Sequence, residues 1–238
     1  MWISISLYNQ VLQQPDLALA WQQMKQAVTG NQSWKLWLAV LLMPVNWGLE
    51  TFKWYLLVNK FQKLSFYKAF ESVLSGLSLA MNTPNRIGEY GGRVVYLAPH
   101  FRMKGVALAI VSSVGQLLIT LIFGWIALLI LKTDLYRVQL SGTHFSVILL
   151  QVFQYSVLFF IAITGLFFFR MQLLAKMLKW IPWLKEKLSF TEVLENLSNR
   201  AYLQILFYSF LRFLVFALQY VLIWQALEAD ISWWQGFW

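Results

Sequence analysis

Arg86, Glu89 and Arg93 recur at intervals of three and four residues inside the segment NTPNRIGEYGGR, residues 82 to 93. If this stretch turns as a helix, one face carries a carboxylate between two guanidinium groups. Two such forks suit a phosphate held bidentately. Gly88, Gly91 and Gly92 in the same stretch would permit positive φ and let a ligand approach the backbone. Amides at a helix start, with glycines beside them, favour an anion. The order is not that of a Walker A loop, because no Lys-Ser/Thr pair follows the glycines. The competing reading is a structural ion-pair cluster that closes a turn.

Two further stripes carry charge. Asn46, Glu50 and Lys53 share one helical face; Lys53 is expected to snorkel to a membrane surface, while Glu50 lies deeper and needs a partner or a proton. Gln204, Tyr208, Arg212 and Gln219 form another stripe. An unpaired arginine near a bilayer midplane would cost at least about 2.5–3.5 kcal/mol, so Arg212 should meet a carboxylate, with Glu50, Glu71 and Glu89 as candidates. The candidate substrate-binding set is therefore Asn82, Arg86, Gly88, Glu89, Gly91, Gly92, Arg93, Arg212, Glu50 and Gln219. Ser112, Gln116 and Thr120, and likewise Gln151, Gln154 and Tyr155, read as ordinary interhelical hydrogen bonding, at about 0.6 kcal/mol each. No catalytic set emerges. His100 and His144 are isolated, neither H-E-x-x-H nor G-x-S-x-G occurs, and nothing supplies a metal site or a cofactor.

The elements that must position these groups belong to a membrane. Of the 238 residues, 59% are hydrophobic and 12% charged, about half the charge fraction of soluble domains. Uninterrupted apolar runs approach or exceed the roughly 20 residues that cross the hydrocarbon. The expected fold is all-α integral membrane: a polytopic helix bundle of about four full spans plus a re-entrant helical segment. The spans are expected at about 36–58, 105–131, 145–169 and 202–227. Residues 69–83 are apolar but too short to cross, and Pro84 should end their helix.

Charge orients the chain. The connector 170–201 holds six basic and three acidic residues and belongs in the cytoplasm. Working back, 132–144 lies outside and the basic 100–104 inside. The lysines of 59–68 also want the inside, so 69–99 must enter and return on one side. Irregular backbone at that depth has to be buried in protein or line a wet cavity. Residues 1–35 form an amphipathic, interfacial N-terminal segment, with Asp16 as a helix cap and Leu17, Trp21, Met24 and Val28 on one face. The net charge of +9 is spread over short connectors, which excludes a nucleic-acid face. The absence of cysteine excludes disulfides and thiol chemistry. No basic n-region precedes an apolar core, so the start is not a signal peptide.

NTPNRIGEYGGRVVYL resembles the signature of the flippase-like membrane domain of lysylphosphatidylglycerol synthases and their stand-alone membrane relatives. In that family an Asn-x-x-Pro-x-Arg-x-Gly-Glu segment is followed by another arginine; here Asn82, Pro84 or Asn85, Arg86, Gly88, Glu89 and Arg93 correspond. MPVNWGLETFKW and LRFLVFALQY are similar to segments of the branch with Tyr-Gly-Gly after the glutamate, and the resemblance runs over about 34 to 238. It implies a flippase-like transmembrane domain at 36–238, in a multi-pass protein of the bacterial inner membrane. The ligand implied is an anionic phospholipid or a polyprenyl-phosphate carrier, and the partners implied are membrane lipids, with a second copy or a separate enzyme as further possibilities. Synthase activity is not implied, since aminoacyl transfer in fused relatives belongs to a soluble domain with no counterpart here. Similar proteins begin with one more span and continue with others, so the resemblance implies a chain incomplete at both ends. Two alternatives stay open: a membrane-embedded transferase on a lipid-linked substrate, with Glu50 or Glu89 as base, and a non-catalytic membrane scaffold.

Overall fold

The computed structural model describes residues 17–137, 144–171 and 191–227, and among them every regular element is helical. In chain order these are α1 (Leu17–Thr29), α2 (Ser33–Val58), α3 (Phe66–Met81), α4 (Gly88–Val94), α5 (Arg102–Arg137), α6 (His144–Phe169), α7 (Thr191–Glu195) and α8 (Asn199–Ala226). Three stretches are long and apolar enough to cross a membrane: Pro99–Ile130, Gln151–Phe169 and Asn199–Ala226. They coincide with the second, third and fourth expected spans. The first expected span is one continuous helix, α2, yet it is not among the three, because Asn46, Glu50 and Lys53 interrupt its apolar character.

The described residues fall into two compact units, 17–43 with 216–227, and Pro44–Val215. The smaller unit contains α1, the first part of α2 and the last part of α8. Within it, Gln219 Nε2 donates to the Ala39 carbonyl at 2.9 Å. In α1, Trp21, Met24 and Val28 are exposed while Ala27 is buried, so the apolar face expected from the spacing lies uncovered. Asp16, the expected cap, lies outside the described residues, as do 138–143, 172–190 and 228–238.

The larger unit holds the core and every strongly buried charge. Trp54, Leu57 and Val58 of α2 pack with Ala69 and Val73 of α3, Leu108 and Val111 of α5, Phe168 of α6, and Ala201 and Ile205 of α8. Helix α3 starts at Ser65, whose hydroxyl accepts from the Lys68 amide at 3.3 Å, and stops at Met81, as Pro84 requires. Its buried residues, Ala69, Ser72, Val73, Gly76 and Ala80, make one helical stripe. Against that stripe α4 packs at backbone distance. A Cβ on Gly92 would lie 2.7 Å from the Cα of Gly76, and one on Gly76 would lie 2.8 Å from the Glu89 carbonyl oxygen.

The chain leaves and re-enters this helical pair at one end. Gln62 Oε1 accepts from the Ala98 amide at 3.1 Å, and the rings of Phe61 and Phe101 stand 5.3 Å apart. The connector is pinned by Asn59, whose Nδ2 donates to the Tyr55 carbonyl at 2.8 Å and whose Oδ1 accepts from the Leu64 amide at 3.0 Å. The connectors before α3 and after α4 therefore adjoin.

Candidate functional site

Helices α2, α4 and α8 bring three separated charge groups to one carboxylate. Glu50 Oε1 receives Arg93 Nη1 at 2.5 Å. Glu50 Oε2 receives Lys53 Nζ at 3.0 Å and also Nη1 of Arg212. Glu89 completes the group, accepting from Nη2 of Arg93 and pairing with Arg86 Nη2 at 3.0 Å. Only the i,i+4 pair, Glu89 with Arg93, lies within α4; Arg86 precedes that helix at positive φ, and Glu89 still holds both arginines. Among the three carboxylates weighed for Arg212, the partner is Glu50.

Burial is steep across this cluster. Lys53, Arg93 and Glu50 are 2%, 3% and 4% exposed. The expectation that Lys53 snorkels outward is therefore corrected: it turns inward, because Glu50 one turn earlier and the Ser209 hydroxyl, 3.4 Å away, offer it acceptors inside the protein. At the other extreme the Arg86 side chain is 67% exposed.

The surrounding groups fix these charges in place. Trp54 Nε1 donates to Ser72 Oγ at 3.0 Å, and Ser72 Oγ donates to the Arg93 carbonyl at 2.8 Å. The Trp54 ring lies 5.8 Å from the Arg93 guanidinium carbon, within cation–π range. Arg212 Nε donates to Asn46 Oδ1 at 2.9 Å, and Gln116 Nε2 donates to the Ser209 carbonyl at 3.2 Å. Sequence reasoning places Asn46 on the correct face but does not find Trp54, Ser72 or Ser209. Ser72 is detectable only through its place on the same α3 stripe as Gly76.

The glycines act differently from the expectation. Positive φ occurs at Asn85 and Arg86, 52° and 58°, whereas Gly88, Gly91 and Gly92 lie in α4. Gly92 is required for contact with Gly76. Gly88 sits over the end of α3, where a Cβ would lie 2.5 Å from the Leu79 carbonyl oxygen, and its amide donates to Thr83 Oγ1 at 2.8 Å. Only at Gly91 is the backbone open, with nothing within 4 Å of a Cβ position.

Two members of the predicted set are elsewhere. Asn82 is exposed and closes α3, its Nδ2 donating to the Ser78 carbonyl at 3.0 Å. Gln219 belongs to the other unit and is occupied by Ala39. The stripe on α5 behaves as interhelical bonding through Gln116. On α6, Gln154 is buried and Tyr155 exposed.

Among the described residues, these contacts join two carboxylates, Glu50 and Glu89, to four cations. Buried donors remain as well. Neither Arg93 Nε nor Asn46 Nδ2 meets an acceptor among the described residues, a costly state for groups away from water. No group of His, Cys, Asp and Glu able to hold a metal ion occurs among the described residues. Comparison with protein-family models, curated proteins and solved structures gave no match.

Proposed function

We propose that the chain is a multi-pass protein of a bacterial cell membrane that binds an anionic lipid headgroup, phospholipid or polyprenyl phosphate, and carries it across the bilayer. In this reading α2 is a fourth crossing and residues 69–99 are re-entrant. The adjoining connectors at Gln62 and Ala98 and the shortness of α3 support that path. The carrying observation is the gathering of four cations on Glu50 and Glu89, with buried donors on Arg93 and Asn46 that meet no acceptor among the described residues. A phosphate supplies several acceptor oxygens for such donors.

The chemistry proceeds by exchange of partners. Arg86 is exposed and reaches Glu89 by a single contact at 3.0 Å, so an arriving phosphate takes that guanidinium at low cost. The open backbone at Gly91 gives it room beside α4. Glu89 then holds Arg93 alone, and Arg93 keeps its place through Glu50 and through Ser72 on its carbonyl. A charged headgroup otherwise faces about 30 Å of hydrocarbon. Arginines neutralise it while its tails stay in lipid.

The burial and mutual pairing of Glu50, Lys53 and Arg93 favour a second reading, a scaffold whose ions only fix the fold. The exposed Arg86 separates the two, since its truncation removes little packing. Native mass spectrometry of the purified protein, with lipid movement in reconstituted vesicles, makes the test. Arg86→Ala is expected to stay monodisperse, to retain less lipid than the parent and to lose translocation. Unchanged lipid retention and movement in that variant would leave the scaffold reading standing.

A further inference from the structure

In the smaller unit, the circumference of α1 is divided three ways. Ala27 is buried. Winding round from it at helical spacing come Met24, Val28 and Trp21, all exposed. Lys25 follows, and beyond it lie Thr29, Gln22 and Gln26, exposed as well. One side thus meets protein, the next is apolar and uncovered, and the third is polar, with an ammonium group on the border between the last two. Helix α1 stops at Gly30, whose amide donates to the Gln26 carbonyl at 2.7 Å and where a Cβ would lie 2.4 Å from that same oxygen. The polar residues 30–32 lead into α2, whose first turns expose Trp34 and Trp37. Between these rings, Lys35 donates from Nζ to Gln32 Oε1 at 2.9 Å and stands 5.8 Å from the centroid of Trp34. The described residues of this unit, 17–43 and 216–227, contain these two lysines and no carboxylate.

We infer that α1 lies along the bilayer surface and docks on anionic lipid headgroups. Trp21, Met24 and Val28 enter the boundary between headgroups and acyl chains, while Thr29, Gln22 and Gln26 face water. Lys25 lays its aliphatic stem beside the apolar side and sets its ammonium group among the phosphates. Tryptophans gathered at a helix end mark the headgroup level, so Trp34 and Trp37 put the start of α2 at the depth that α1 occupies. Charge selects the kind of surface: two cations with no acid beside them gain more from anionic headgroups than from zwitterionic ones. The surface shares no residue with the Glu50 cluster, so it stands whether or not lipid is translocated there.

The test uses the full chain, which has no cysteine, with single nitroxide-labelled cysteines replacing Trp21, Met24 or Val28, and Gln22, Gln26 or Thr29. All six positions are exposed, so the label displaces little packing. In reconstituted vesicles each label is read by collision with oxygen, which enters lipid, and with a nickel chelate, which stays in water. The first three positions are expected to favour oxygen and the other three nickel. A second measurement compares the label at position 24 in phosphatidylcholine with and without phosphatidylglycerol. Phosphatidylglycerol should raise the ratio of inserted to free label by about fivefold, the worth of one lysine at such a surface, and Lys25→Gln should cancel that rise. No contrast between the two faces overturns the inference, as does exclusion of both reagents at Trp21, Met24 and Val28, the result if a second copy or another protein covers them. A ratio unmoved by phosphatidylglycerol, or a rise that survives Lys25→Gln, overturns it too.

Discussion

Glu50 is the residue on which most of the buried charge depends, since Lys53, Arg93 and Arg212 all reach it. Removing one partner of a buried pair typically costs about 3–5 kcal/mol, because the other charge is left uncompensated. Glu50→Gln is therefore expected to lower stability by at least that amount in a detergent unfolding titration, and Arg86→Ala by far less. Equal losses would mean that the cluster is not organised around Glu50. Legibility at this scale follows geometry. The Glu89 and Arg93 pair is readable because helical spacing is local, and a carboxylate for Arg212 is demanded by solvation cost alone. Which carboxylate serves is not readable, because 162 residues separate Arg212 from Glu50 and no local rule spans that distance. Lys53 misleads for a related reason: snorkelling assumes that the nearest polar medium is water, and here it is another side chain.

For the elements, the contact of α3 with α4 rests on two hydrogens. Gly92→Ala puts a methyl 2.7 Å from the Gly76 Cα, where only backbone could yield. Overpacking of this kind costs about 1–3 kcal/mol, so the apparent Tm should fall, while Gly91→Ala, facing open space, should leave it nearly unchanged. The turn between the helices makes a second expectation. Asn85, at φ 52° and ψ 23°, tolerates the left-handed region that a β-branched side chain does not. Asn85→Val should destabilise by about 1–2 kcal/mol and Asn85→Gly should not, by the same melting measurement. The helix ends here are legible from Pro84. The strained positions are not, since glycine is the usual occupant of positive φ and three glycines nearby draw the assignment away from Asn85 and Arg86. Their actual use, close helix contact, depends on a partner that sequence alone does not name.

The whole molecule offers one direct test of its path. Because the chain has no cysteine, single cysteines can be introduced without background. Lys63→Cys, on the connector before α3, and Met103→Cys, in the first turn of α5 where the other connector ends, lie at exposed positions. Both are expected to react with a membrane-impermeant maleimide from the same side of a sealed vesicle. Labelling from opposite sides would remove the re-entrant path and the proposed topology with it. Helix content and the three helices long and apolar enough to cross a membrane are readable from run length and composition, since those properties are additive along the chain. The division into two units is not, because α2 and α8 each continue through the boundary as unbroken helices.

The convergence of three cations on Glu50 also sets an order of events during synthesis. At about 5–20 residues per second, Arg212 leaves the ribosome roughly 8–32 s after Glu50. Throughout that interval Glu50 has only one partner on its own helix, Lys53, three residues away. Arg93 follows within a few seconds, and the last guanidinium arrives only with α8. Until then Lys53 balances Glu50 within one helix as a nearly neutral pair. Completion of the cluster therefore waits until α8 has docked.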